Sequence, residues 1–299
     1  MSPALDLDVG FVVAGHGRHY IVETPEGHRF ICHPRGKKSE CVVGDRVRWQ
    51  RSGDEGVIEH VEPRRNVLFR QDEWKTKSFA ANLDQLLVLV AAEPVFSESQ
   101  LARALIAAES AHIPARIVLN KIDLPAIAGA RQRLTPYRQM GIEVHEVALK
   151  AAPRPASALL EPLLTDRATL EIGPSGAGKS TLVNLLVPDA RAQVGEVSQA
   201  LQAGRHTTTT TQWYWLDAAH TRALIDSPGF QEFGLRQLEA RQLAGLMPDL
   251  REPAQACRFY NCTHLHEPAC GVREAVERGA ISDSRYRVYR EIFAELGSR

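Results

Sequence analysis

Residues 168–187 read ATLEIGPSGAGKSTLVNLLV, and this stretch decides the fold. Ala168 to Ile172 has the apolar composition of a buried strand, and Thr181 to Val187 that of a helix. Between them Gly173, Pro174, Ser175, Gly176, Ala177, Gly178, Lys179 and Ser180 satisfy the pattern G-x-x-x-x-G-K-[ST]. Glycines let such a loop fold its N–H groups around a β-phosphate, and the helix N-terminus, with Thr181 in its first turn, adds positive potential. Lys179 then reaches the β/γ oxygens as a catalytic charge, and the Ser180 hydroxyl ligates Mg²⁺.

Around this loop, from about Asp84, apolar strands (QLLVLVAA, ARIVLNK, EVHEVAL, YWLDA, RALIDS) alternate with helical stretches such as Glu98 to Ser110 and Lys179 to Leu186. Alternation of this kind predicts a largely parallel sheet covered on both faces. Upstream, Val9 to Val61 consists of short alternating runs between glycine-rich turns, which fits a five-stranded all-β barrel of the OB type. Pro63, Arg64 and Arg65 mark the junction. Downstream, Leu235 to Leu250, a cysteine cluster and the amphipathic tail Ser284 to Leu296 form a mainly helical unit. The expected division is residues 1–70, 71–234 and 235–299, with the Ala/Pro-rich stretch Ala151 to Ala158 as a surface connection.

The chain has 299 residues, 44% of them hydrophobic, which supplies a sizeable core. No stretch resembles a secretory signal or a membrane helix, so a cytoplasmic protein with no membrane partner is expected. Lys plus Arg and Asp plus Glu each number 36, so overall charge gives no argument for nucleic acid. Any RNA contact must come from local groups: Arg35, Lys37 and Lys38 in a barrel loop, Arg64 and Arg65 at the junction, and Arg285, Arg287 and Arg290 in the tail. Each of these also reads as ordinary surface charge.

The phosphate loop does not choose between ATP and GTP. The choice comes from Asn120-Lys121-Ile122-Asp123 at the end of a strand, where a parallel sheet meets its ligand. A carboxylate at Asp123 accepts from guanine N1–H and its 2-amino group, a pattern adenine lacks. Asn120 would brace the loop and Lys121 would lie over the base. Asp226-Ser227-Pro228-Gly229 ends another strand, with Asp226 set to hold Mg²⁺ through water and the Gly229 N–H to face the γ-phosphate. The run Thr207 to Thr211 after Gly204-Arg205-His206 reads as a switch in which Thr208 or Thr209 ligates Mg²⁺, or as an exposed polar strand. The base-reading motif precedes the phosphate loop, so the order is circularly permuted. Asp226 to Gly234 therefore runs straight into the C-terminal unit, and hydrolysis is expected to reorient that unit. A transporter ATPase would need an LSGGQ-like signature and an acidic residue after Asp226, and neither is present.

Five cysteines divide unevenly. Cys32 and Cys41 lie in apparent β segments and read as packing residues, whereas Cys257, Cys262, His264 and Cys270 offer three thiolates and an imidazole, a closed tetrahedral set for one structural Zn²⁺. His266 is a rival ligand.

The barrel, NKID, GPSGAGKS, GRHTTT, DSPGF and the cysteine/histidine cluster together resemble the ribosome small subunit-dependent GTPase A family (RsgA, also called YjeQ) over nearly the whole chain. That resemblance implies a circularly permuted, monomeric GTPase that cycles between GTP and GDP. It further implies binding to the 30S subunit and its 16S rRNA late in subunit maturation, and activation by the subunit. It favours His264 over His266. It also implies a guanine-supporting loop at Val147 to Lys150, where Ala148 stands in place of serine and would act through its backbone N–H. Phe230 occupies the position of the water-orienting glutamine of many GTPases. The resemblance directs attention instead to His206, which either accepts a hydrogen bond from the attacking water or pins the switch. An RNA-binding module with an idle nucleotide site is the remaining reading.

Overall fold

The structure, a computed structural model, describes residues 7–36, 41–71, 76–187, 190, 211–227, 233 and 235–297. His206, Thr208, Thr209, Gly229, Phe230, Lys37 and Lys38 lie outside the described residues.

The N-terminal strands β1 (Asp8–His16), β2 (His19–Glu23), β3 (Arg29–Pro34), β4 (Arg46–Ser52) and β5 (Glu55–Val61) close into a barrel through β1–β4 and β3–β5 pairing. Period-two alternation drives the closure: Val47 and Trp49 of β4 point inward while Arg46 and Arg48 stay exposed. Val12, Val22, Cys32, Cys41, Val47, Trp49 and Ile58 fill the interior. Burial pushes both thiols up to about 12, so Cys32 and Cys41 are inert packing groups. Cys41 precedes β4 rather than sitting in a strand.

A hairpin of β6 (Val67–Gln71) and β7 (Thr76–Ala81), absent from the sequence-based expectation, follows the barrel. The nucleotide-binding sheet then orders β10 (Val144–Glu146), β9 (Ala115–Asn120), β8 (Gln85–Ala91), β11 (Ala168–Ile172), β13 (Ala223–Asp226) and β12 (Gln212–Trp215). All pairings are parallel except β12–β13. Every residue of β8 is buried, as a strand covered on both faces requires. One face packs on α1 (Glu98–Ser110) and α2 (Ile127–Gln139), the other on α3 (Pro153–Leu160) and α4 (Lys179–Leu186).

Three expectations shift. The stretch Ala151 to Ala158 is not a plain connection: α3 buries Ala156 and Leu160, and its prolines fall in the first turn, where a missing N–H costs nothing. The strand expected at Tyr214 to Ala218 starts at Gln212 and stops at Trp215, because Asp217 accepts from Thr221 N (2.9 Å) and closes a turn. The third concerns attachment.

The C-terminal unit comprises two short 3-10 turns, then α5 (Pro248–Gln255), α6 (Gly271–Glu277) and α7 (Asp283–Gly297). Its Leu243, Met247, Leu250, Val288 and Ile292 belong to the same core as Leu101, Ile106 and Leu134 of α1 and α2. Arg103 pairs with Glu295 and Arg251 with Glu109 across that junction. Phe233 and Leu235, on the path from Asp226, are buried too. A unit that shares this core would have to slide or repack against α1 and α2 in order to reorient.

Candidate functional site

The loop Gly173 to Gly178 leaves β11 and enters α4 through Gly178, whose φ of +113° is left-handed. A Cβ there would stand 2.3 Å from Asn120 Nδ2, so only glycine admits the side chain that follows. Asn120, 3% exposed at the end of β9, donates to Ala177 O (2.8 Å) and accepts from Leu149 N (3.0 Å). One amide thus ties the phosphate loop, the NKID segment and the 147–150 segment together. Ile122 N donates to Val147 O (3.3 Å), adding a second tie.

A cleft of about 580 Å³ opens over these loops, lined by Asn120, Lys121, Asp123, Leu124, Lys150, Ser175, Gly176, Gly178, Lys179, Ser180 and Thr181. Its size is that of a small-molecule site. Asp123, Ser180 and Thr181 are among its exposed members. Of the remaining candidates, Ala148, Gly173 and Ala177 are buried behind the cleft wall and Pro174 is half-buried. Leu124 and Lys150, adjacent to NKID and to Ala148, also line the cleft.

Lys179 Nζ donates to Gly173 O (2.6 Å) and Pro174 O (3.4 Å), so the ammonium is folded back on its own loop. Burial lowers its pKa, while Glu171 and Asp226 oppose that effect. Burial raises the Asp226 carboxyl to about 6, with Lys179 pulling it down. Glu171 is wholly buried; burial, then the neighbouring Asp226, holds its pKa well above the carboxylate range. Glu171 is an acid inside the apolar run ATLEI, which is itself a sequence signal.

In the C-terminal unit the donor atoms of Cys257, Cys262, His264 and Cys270 all lie within 4.8 Å of one another. Cys257 Sγ and Cys270 Sγ are 3.8 Å apart, and His264 Nδ1 lies 3.4 Å and 3.5 Å from them. A tetrahedron with Zn–S near 2.3 Å and Zn–N near 2.0 Å has edges of about 3.5–3.8 Å, so the set fits one zinc ion. His266 is exposed and stands outside the cluster. The loop is braced by Glu267, which accepts from Thr263 N (2.9 Å) and Thr263 Oγ1 (2.6 Å), and by Tyr286 and Tyr289, whose hydroxyls donate to the carbonyls of His264 and Thr263.

The basic groups divide sharply. Arg285, 3% exposed, is bidentate to Asp249 (2.8 and 2.9 Å) and lies over the Tyr137 ring, so it is a structural residue rather than a phosphate contact. Arg64 is likewise bidentate to the fully buried Asp45. Arg35 and Arg65 remain more than 60% exposed beside Glu59 and Asp84, and Arg287 is 66% exposed. Beyond these, Tyr260 in the cysteine loop is fully exposed, next to Arg258 and Phe259.

The profile of the RsgA GTPase family matches residues 61–236. A protein of Variovorax paradoxus named "Small ribosomal subunit biogenesis GTPase RsgA" is 62% identical over 97% of this chain and 93% of its own length. One of that name from Burkholderia pseudomallei is 53% identical over 96% and 91%. Among solved structures, YjeQ from Thermotoga maritima superposes with a TM-score of 0.74 at 30% identity, covering 98% of this chain and 99% of its own. YloQ, described as a circularly permuted GTPase, gives 0.70 at 26% identity over 100% and 98%. Identity of this extent, over a chain whose permuted motifs meet in one cleft, makes the protein a member of the RsgA GTPase family.

Proposed function

We propose that the protein hydrolyses GTP to GDP and phosphate while bound to the small ribosomal subunit during its biogenesis. The single observation that carries the guanine reading is the Asn120 bridge, which ties the segment bearing Asp123 to the loop bearing Lys179 and Ser180. In this reading Asp123 accepts from guanine, Lys121 covers the base and the Ala148 backbone supports it, while Gly173 to Thr181 cradle the phosphates. Lys179 leaves the Gly173 and Pro174 carbonyls for the β/γ oxygens. Ser180, Asp226 and Thr208 or Thr209 would hold Mg²⁺, which supplies charge neutralisation at those oxygens. The exposed Ser180 hydroxyl and the Asp226 carboxylate are oxygen donors of the kind that hard cation takes. His206 and Gly229 complete the γ-phosphate side.

Zinc held by Cys257, Cys262, His264 and Cys270 would be structural, since the four ligands leave no open position. It would fix the loop carrying Arg258 and Tyr260 as an RNA-facing surface. Arg35, Arg65, Arg287 and Arg290 are the exposed candidates for phosphate contacts with 16S rRNA in a monomeric, cytoplasmic protein. The test is turnover with purified subunits. GTP hydrolysis should rise with small and not large subunits, and ATP should remain uncleaved. Asp123→Asn should lose GTP binding by about 100-fold or more and gain xanthosine triphosphate, because an amide donates to the 2-carbonyl where a carboxylate cannot.

A further inference from the structure

Glu171, Asp226 and Gln212 stand at one level across three adjacent strands, since Glu171 and Gln212 are both backbone partners of Asp226. Directly paired residues in a sheet project to the same face. That face is the one covered by α4, because Tyr214 and Leu224, two residues along from Gln212 and Asp226, pack on Val183 and Val187. The helix begins there with Lys179 and Ser180. A polar row therefore lies directly under the cation end of the phosphate loop.

Two members of the row lack partners. Glu171 is 0% exposed and neither carboxyl oxygen has a hydrogen-bond partner among the described residues; Gln212 is 4% exposed and its Nε2 is in the same condition. Buried polar groups without partners are costly, and a fold retains them where a ligand supplies the missing contacts. Lys179 already donates to two loop carbonyls. Nucleotide phosphates are acceptors and would repel a carboxylate. A hydrated divalent cation is different: its waters are strong donors and its charge is of the required sign, and Mg²⁺ gives up those waters reluctantly.

We propose that Glu171 is a positioning residue for the divalent cation of the nucleotide site, accepting hydrogen bonds from the cation's water shell beside Asp226. Gln212 contributes from the other flank by donating its amide N–H to the Asp226 carboxylate. This rests on the reading of Asp226 and Ser180 as magnesium residues.

The experiment follows release of a fluorescent GDP analogue from the full-length protein as Mg²⁺ is titrated, alongside melting of the nucleotide-free protein. Glu171→Leu should raise the Mg²⁺ midpoint by roughly 10-fold or more, the range for outer-shell partners. It should leave affinity in chelator unchanged and raise the melting temperature, since an unpartnered buried carboxyl is removed. Glu171→Gln, which keeps the shape and one acceptor oxygen, should give a smaller midpoint shift. A higher melting temperature with an unmoved midpoint in both variants would overturn the proposal. Asp226→Asn in the same titration separates the two readings: an unmoved midpoint there means that Asp226 is not a cation residue, and the assignment of Glu171 falls with it.

Discussion

The barrel meets the nucleotide-binding sheet through the Ala14–Gln212 backbone pairing, through Val13, Ile21 and Val43, which join the same core as Leu86 and Val88, and through an aromatic cluster in which Phe11, Trp213 and Trp215 stack edge to face or tilted at 4.6–5.6 Å. Trp215 Nε1 also donates to Glu23 Oε1 (2.7 Å), and its indole stacks on His220. The C-terminal unit joins that core from another side, against α1 and α2, and adds the buried Arg285–Asp249 pair beneath Tyr137. The barrel thus holds the strand that follows the threonine run and borders Asp226, whereas the C-terminal unit holds helices on the opposite face of the sheet. A contact made on the barrel has a short route to the phosphates through β12. A contact made on the zinc unit bears on α1 and α2, on the face of the sheet away from the phosphate loop's helix.

The strongest way to break this contrast is Arg285→Met, which strands Asp249 in the core and should cost about 3–5 kcal/mol in chemical denaturation. Adding Asp249→Leu should return most of that loss, because a well-packed apolar pair replaces the buried charges. Neither change should alter nucleotide affinity in the fraction that remains folded. Trp215→Phe tests the other junction: losing the indole donor to Glu23 should cost about 1 kcal/mol. It should also reduce stimulation of hydrolysis by small subunits more than it reduces unstimulated turnover. Equal loss in both would remove the β12 route. The smallest effect on stability belongs to Tyr260→Ala, within about 0.5 kcal/mol because the ring touches nothing. Its association with small subunits, measured by co-sedimentation, should nevertheless weaken by about 1 kcal/mol, the low end for loss of a base-stacking ring.

What the sequence disclosed follows the range of the interactions involved. The phosphate loop, the helix after it and the strands β8, β9 and β11 are written locally, in apolar runs and glycine spacing, and their bounds hold to a residue or so. The cysteine cluster is equally local: four donors within fourteen positions need no distant information to find each other. The charged residues depend on the opposite kind of information. Arg285 finds Asp249 at 36 positions' remove and Arg64 finds Asp45 at 19, so both look like surface charge until the chain is folded. Gln212 breaks the apolar pattern of its strand, although its place beside Asp226 is what makes it useful. In α3 two prolines read as a loop, and the burial of Ala156 and Leu160 overrides them.

Asn120 joins two motifs 57 positions apart with a single side chain. The nucleotide cleft is consequently held shut by cross-links between loops and not by the succession in which the strands are translated. Chain order is then a free variable of this architecture: new ends could be opened at an exposed bend and the old ones fused, provided the amide and the glycine that admits it were kept.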